Sequence, residues 1–348
     1  MAVCLITGGA GFIGSHLAEA LVARGDSVRI LDNFSSGTMD NLAKISESIE
    51  LIAADVHDKT GLKRAVRGVE HIFHFTAPDV GQTTKGADVT PGKWAFATDT
   101  LKVLMAAREV GVRRLIFASS SAVYGPGRTA ELKESDPIMP VSPYGFAKQT
   151  GENQCAGFTL LYGLETVRLR FFNVFGPRQA PTSFYCPAIP VILRTMLAGQ
   201  SPEIVDSPFE QQDFLYVADA VHAALLAAEG TRVAGKVYNI ARGRTTSLVQ
   251  VVNAANQILG TNIKPHLADT RPLSELVRSV NISRAEAELG FCPSNDLKQG
   301  LARFVDYLQR HGESPRRSTP DAEAAGLKPP HFAEREGPKP IATVTKKG

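Results

Sequence analysis

The sequence predicts a doubly wound parallel α/β sheet followed by a smaller α/β lobe. Three observations predict it. Through the first half, short apolar runs alternate with longer stretches of helical spacing, as successive βαβ units do. A glycine-rich turn follows the first of those runs, close to the N-terminus, and opens the first helical stretch. Runs such as Leu115–Ala118 are almost unbroken in their apolar character, which suits strands covered on both faces.

Strands are expected at Val3–Thr7, Ser27–Asp32, Glu50–Ala54, His71–Phe75, Arg114–Ala118 and Glu165–Arg170. Helical spacing is read over Phe12–Arg24, Asp58–Arg67, Trp94–Val110 and Tyr144–Tyr162. From about Asn173 the pattern is broken by Pro177, Pro181, Pro187 and Pro190, and shorter elements follow, including Val217–Ala228 and Leu248–Leu259. Residues 1–172 are therefore read as one domain and 173–310 as a second lobe, with some exchange of chain between them. Residues 311–348 are poor in apolar side chains and rich in Pro, Glu, Lys and Arg. They cannot bury enough surface to offset their ordering entropy and are expected to form a disordered tail.

Composition narrows the function classes. A length of 348 residues accommodates two lobes, and 43% hydrophobic with 21% charged residues is ordinary for a soluble globular chain. A formal charge of +3 is too small to argue for nucleic acid or an anionic membrane surface. The four cysteines, Cys4, Cys155, Cys186 and Cys292, show neither metal-ligand spacing nor a disulfide framework, which fits a reducing cytoplasm and no metal. No stretch of about twenty apolar residues occurs, so no membrane span is expected, and the N-terminus has no signal-peptide pattern.

The turn Thr7-Gly8-Gly9-Ala10-Gly11-Phe12-Ile13-Gly14 carries the first chemistry. Gly8 and Gly11 let the backbone approach a pyrophosphate resting on the N-terminus of the next helix, and Gly14 lets that helix pack closely on the sheet. Alone, such a turn is an ordinary strand-to-helix connection. Asp32, about twenty residues on at the end of the second strand, adds a carboxylate for ribose hydroxyls, so a Rossmann-type dinucleotide site is expected. A carboxylate there repels a 2′-phosphate, and no arginine adjoins it, so NAD is favoured over NADP. Asp55, closing the third strand, suits either an adenine contact or a helix cap with Asp58 nearby.

Tyr144-Gly-Phe-Ala-Lys148 is the second signal, because residues four apart share a helix face. A free phenol has a pKa of about 10, and a neighbouring ammonium favours the phenolate. The pair opens a helix introduced by Ser142-Pro143 and follows the strand that ends in Ser119-Ser120-Ser121. Hydroxyls there stand at the carboxyl end of a parallel strand, where doubly wound sheets bind ligands. A surface tyrosine beside a solvated lysine, and turn-forming serines, are the plainer readings.

Together with Leu31–Gly37, Ala54–Val56, His74–Ala77, Ser119–Gly125, Arg170–Pro177, Gln212–Asp219 and Arg271-Pro272, these motifs run in order over about residues 2–310. The chain resembles the extended short-chain dehydrogenase/reductase family, particularly nucleotide-sugar epimerases of the UDP-glucose 4-epimerase type. The resemblance implies that Tyr144 is the base and acid, that Lys148 lowers its pKa and holds the nicotinamide ribose, and that Ser120 bonds the reacting oxygen. It implies cofactor contacts from Gly8, Gly11, Phe12, Ile13, Asp32, Asn33, Asp55, Val56, Phe75, Ala77, Tyr144 and Lys148. Substrate contacts are implied for Ser120, Ser121, Asn173, Gln212 and Arg271, the last pairing with a phosphate. The reaction implied is oxidation and re-reduction at C4 of a UDP-hexose or UDP-hexuronate. A homodimer built on the helices Trp94–Val110 and Tyr144–Tyr162 is implied too, with Leu101, Val103, Leu104, Phe158 and Leu161 as candidate apolar contacts or as internal core.

The sequence also departs from that family. Sugar dehydratases carry Asp-Glu after the serine, and decarboxylases keep the Glu; this chain has Ser121-Ala122, so both chemistries are disfavoured. Gln212 stands where an arginine usually grips the diphosphate, Asp206-Ser-Pro208 replaces a Gly-Asp-Gly turn, Phe96 replaces an asparagine, and the loop Asp79–Lys93 looks lengthened. A net NAD-dependent dehydrogenase or reductase on another hydroxy or keto substrate is the alternative enzyme. A non-catalytic NAD-binding scaffold is the third reading, opposed by the intact Ser120, Tyr144 and Lys148.

Overall fold

A computed structural model describes residues 2–76, 96–125, 131–181, 188–204, 210–267 and 279–312. In chain order the elements are β1 (Val3–Thr7), α1 (Phe12–Ala23), β2 (Ser27–Asp32), β3 (Ile49–Ala53), α2 (Lys59–Val66), β4 (His71–His74), α3 (Phe96–Glu109), β5 (Arg114–Ser120), α4 (Pro143–Tyr162) and β6 (Glu165–Phe171). Then follow β7 (Val174–Phe175), α5 (Ala188–Leu197), β8 (Glu203–Ile204), β9 (Gln212–Asp213), β10 (Leu215–Tyr216), α6 (Val217–Glu229), β11 (Val237–Ile240), β12 (Thr245–Thr246), α7 (Leu248–Leu259), β13 (His266–Leu267), α8 (Ser283–Leu289) and α9 (Leu297–His311).

The main sheet has seven parallel strands in the order β11-β6-β5-β4-β1-β2-β3. The order reverses between β1 and β4, and a crevice at the carboxyl ends of these strands is where such sheets take their ligands. Side chains alternate across the sheet and feed two cores. Cys4, Ile6 and Ile116 join Leu17, Leu21, Ala220 and Ala223 from α1 and α6 on one face. Leu5, Leu115 and Phe117 join Leu62, Val66, Val103, Leu104 and Phe158 from α2, α3 and α4 on the other. The doubly wound fold is therefore the one expected.

Each expected strand exists; β1 and β2 have the expected ends, and β3 to β6 differ by one or two residues. The shift matters at β5, which runs on to Ser120 and so carries Ser119 and Ser120 on regular, buried backbone. Chain beyond residue 172 also enters this sheet: Val237–Ile240 pairs with Arg168–Phe171 as the seventh strand. Arg114 at the start of β5 reaches α6, where Nη1 donates to the carbonyls of Ala227, Ala228 and Gly230 at 3.0, 2.7 and 2.8 Å. The guanidinium thereby satisfies carbonyls that the helix end leaves unpaired.

The chain divides into two units, Met1–Arg310 and His311–Gly348. Of the expected tail, His311 closes α9, and residues 313–348 lie outside the described residues. No described helix is long and apolar enough to cross a membrane. Of the candidate apolar residues on α3 and α4, Val103, Leu104 and Phe158 are buried in the chain's own core, the second of the two readings open for them. They sit there because α3 and α4 turn those sides toward β5, while Leu161, Leu160 and Met105 point outward.

Candidate active site

The glycine turn is built as a phosphate cradle. Gly8 has φ +74, a region that L side chains rarely adopt. A Cβ on Gly14 would lie 2.2 Å from the Gly8 carbonyl oxygen, so only glycine lets α1 start this close to β1. Gly11 is the N-cap of α1, with no side chain capping the first amides and no acidic residue in the first turn. Those free amides and the positive end of the helix suit an anion. Asp32 is buried beside them, its Oδ2 accepting from the Ala10 amide and its Oδ1 from the Phe34 amide, each at 2.8 Å. Burial raises its carboxyl pKa, against the pull of those two amides. The remaining lone pairs of this carboxylate fit ribose hydroxyls, so the donor and acceptor set fits NAD.

Asn33 and Asp55 meet at the ends of β2 and β3, with Nδ2 of Asn33 donating to Asp55 Oδ2 at 2.7 Å. Asp58, not Asp55, caps α2 by accepting from the Thr60 amide, which settles the capping alternative for Asp55. Val56 and Phe75 are buried, and the Phe75 backbone lies directly under Gly8. Phe12 and Ile13 form the first turn of α1. Ala77 and Arg271 lie outside the described residues, as do the loop 79–93, residues 206–208 and the side chain of Phe96.

Helix α4 brings Tyr144 and Lys148 to the end of β5. Ser142 caps it by accepting from the Gly145 amide at 3.1 Å, and Pro143 presets its first turn. Close approach depends on two glycines: a Cβ on Gly145 would lie 2.7 Å from the Ala122 carbonyl, and one on Gly151 2.4 Å from Phe117. Ser120 ends β5 and accepts the Ala122 amide at 3.2 Å, while Ser121 begins a short 3₁₀ turn to Tyr124. Lys148 is 1% exposed; its Nζ donates to the Ala118 carbonyl at 2.8 Å and stands 5.7 Å from the Tyr144 ring centre. Burial lowers the Lys148 pKa from 10.5 to about 8, and the Asp99 carboxylate works against that. A phenol next to a buried ammonium can act as a base near neutral pH.

Lys148 lines a small pocket with His74, Thr76, Asp99, Thr100, Phe117 and Ala147, none of which was among the site residues expected from the sequence. His74 Nδ1 is 2.7 Å from Thr7 Oγ1 and Nε2 is 3.2 Å from Thr100 Oγ1. Burial, and then the charge of Lys148, lower its pKa to about 3, so this imidazole is a neutral strut. Register contains the missing signal: Thr7 and His74 are directly paired on β1 and β4. Asp99 bonds His57 Nε2, and Lys102 bonds His57 Nδ1. Burial raises the Asp99 pKa, with His57 opposing.

On the other side of β5, Asn173 has φ +37 and its Nδ2 donates to the Asp213 carbonyl at 2.8 Å. Gln212, half-buried in β9, pairs with Thr246 of β12. Asn173 and Gln212 therefore belong to one neighbourhood, as the resemblance implies. Among the described residues no cluster of His, Cys, Asp or Glu could hold a metal ion.

Residues 4–241 match the model of the NAD dependent epimerase/dehydratase family. The UDP-glucose 4-epimerase of Mycolicibacterium smegmatis is 32% identical over 316 residues, covering 89% of this chain and 99% of the relative. The UDP-N-acetyl-alpha-D-glucosaminuronate decarboxylase of Bacillus cytotoxicus is 31% identical, covering 88% of this chain and 97% of the relative. The solved UDP-glucuronic acid 4-epimerase from Bacillus cereus, in complex with UDP-glucuronic acid and NAD, superposes with a TM-score of 0.80 at 27% identity, over 88% of this chain and 99% of that one. The family expected from the motifs is the one found, and NAD is its cofactor: this chain belongs to the NAD-dependent epimerase/dehydratase family.

Proposed function

We propose that the chain is a UDP-hexose or UDP-hexuronate 4-epimerase. One observation carries the reading: Tyr144 and Lys148 meet at the end of β5, while the next positions, Ser121 and Ala122, hold no acid or base. Elimination of water or loss of carboxylate needs further proton transfer; inversion at C4 does not. Tyr144, as phenolate, takes the proton from the C4 hydroxyl and later returns it. Bound NAD supplies a reversible hydride acceptor. Lys148 favours the phenolate, and Ser120 donates a hydrogen bond to the reacting oxygen. Ser121, Asn173, Gln212 and Arg271 hold the remainder of the nucleotide sugar, so the lobe after residue 173 faces the substrate.

The test is turnover of UDP-glucose, UDP-N-acetylglucosamine and UDP-glucuronate by the purified protein without added NAD, followed by NMR. Conversion of one of them to its C4 epimer is expected. No turnover until NAD is added, and then a rise at the nicotinamide band stoichiometric with substrate and without epimer, would instead select the dehydrogenase reading, which the uncharged Gln212 favours. We further propose a homodimer through α3 and α4, whose outward Met105, Leu160 and Leu161 are 59%, 84% and 70% exposed, and a reducing cytoplasmic location.

The same site sets a pH limit. Lys148 acts only as the ammonium, and its lowered pKa means the charge is lost as pH rises through about 8. Asp99, His74, Tyr144 and Cys155 are the titratable groups around it. Profiles of kcat/KM, which report the free enzyme, are expected to fall above about pH 8. A profile flat to pH 9.5 (roughly one unit below a free lysine) would rule out this role.

A further inference from the structure

We infer that the turn Arg242-Gly243-Arg244 supplies the positive charge that Gln212 lacks and grips the diphosphate of the substrate. The assignment rests on the nucleotide-sugar reading above. Of the residues implied in holding the nucleotide sugar, Asn173 and Gln212 are described, and this turn lies beside both. First, Gln212 pairs with Thr246, only two residues from Arg244, and Asp213 pairs with Thr245. In extended chain, residues two apart share a face, so Arg244 projects on the side of Gln212. Diagonal neighbours across such a pair are roughly 7–8 Å apart, within reach of a long side chain.

Second, the turn is locked to the Asn173 neighbourhood through Asp213. The Asp213 carboxylate accepts the Arg242 amide at 2.7 Å and the Arg244 amide at 3.0 Å, while its carbonyl accepts Asn173 Nδ2. Gly243, at φ +74, makes the tight bend that lets both amides point at one carboxylate. Third, a Cβ on Gly243 would lie 3.3 Å from Ile282, so the turn packs against the residue that opens α8.

The charges are available. No ion pair within 4 Å engages Arg242 or Arg244 among the described residues, although the Arg242 charge is felt at the Asp213 carboxylate, whereas eight other arginines, among them Arg114, Arg170 and Arg178, are paired with carboxylates. Arg242 is half-buried and Arg244 exposed, a gradient that suits one guanidinium inside the cleft and one at its rim. Both backbones are fixed by Asp213, so the side chains are presented from a rigid turn. A guanidinium fork bonds phosphate oxygens in pairs and adds charge, which an amide at position 212 cannot.

The test measures binding of UDP and of uridine to the NAD-loaded protein, wild type and Arg242→Ala/Arg244→Ala. The double variant is expected to bind UDP about tenfold to a hundredfold more weakly, and uridine as the wild type does. Adding Gln212→Arg to the double variant is expected to restore UDP affinity, because the charge returns from the facing strand. Retained NAD affinity shows that the variant is folded. UDP bound within twofold of wild type overturns the assignment. Wild-type protein that binds no UDP overturns the nucleotide-sugar reading itself, a different and separable outcome.

Discussion

Replacing Tyr144 with phenylalanine is expected to lower kcat about 10²–10⁴-fold, the usual weight of a general acid–base group, with NAD affinity nearly unchanged. The substitution removes one oxygen and leaves the ring that packs at the start of α4, 9% exposed. NAD affinity is expected to persist because the cradle around Gly8, Gly11 and Asp32 is built from a different part of the chain. Lys148 keeps its bond to the Ala118 carbonyl, so the charge stays in place while the proton carrier is gone. Steady-state epimerisation kinetics together with NAD titration measure both halves. A Tyr144→Phe enzyme within tenfold of wild type would mean that another group carries the proton.

The largest effect on stability is expected from Arg170→Met. Arg170 and Glu152 form a two-pronged pair, with Nε to Oε1 at 2.8 Å and Nη2 to Oε2 at 2.7 Å, and each residue is 2% exposed. Ser119 Oγ also donates to Glu152, and Arg170 Nη1 donates to the Tyr124 hydroxyl, which in turn donates to Asn239. Removing the guanidinium strands a buried carboxylate, which costs about 3–5 kcal/mol. The urea midpoint should fall accordingly, at an unchanged slope. Arg170→Met combined with Glu152→Leu is expected to recover part of the loss, because both charges then leave together. A single variant within about 1 kcal/mol of wild type would show that water or a rearranged neighbour satisfies Glu152. The network also bears on the site, since Ser119 precedes Ser120 on the same strand.

The main sheet was legible because six of its strands are apolar runs separated by turns and helical spacing. The seventh was not: Val237-Tyr-Asn-Ile240 is four residues long and lies in a region punctuated like a separate lobe. The glycine turn, Asp32, Tyr144 and Lys148 were legible because each lies at a fixed offset from a strand or helix end. His74 and Asp99 were not, since they meet Lys148 only when β4, α3 and α4 pack together. The choice between core and dimer contact on α3 and α4 stayed open for a related reason. Helical spacing shows that Val103, Leu104 and Phe158 share faces, but not whether that face meets β5 or a second subunit. The Gln212 to Thr246 pairing spans a two-residue ladder, too short for any periodicity.

The position of β11 has a consequence in time as well as in space. A ribosome releases Val3–Phe171 long before Val237–Ile240 emerges, and until then β6 presents an open edge of unpaired backbone groups. The carbonyls of Ala227, Ala228 and Gly230 that engage Arg114 come equally late. The nascent cofactor half is thus held unfinished during synthesis, exposed to chaperones and to edge-to-edge association. Cutting the gene at residue 172 would make that transient state permanent.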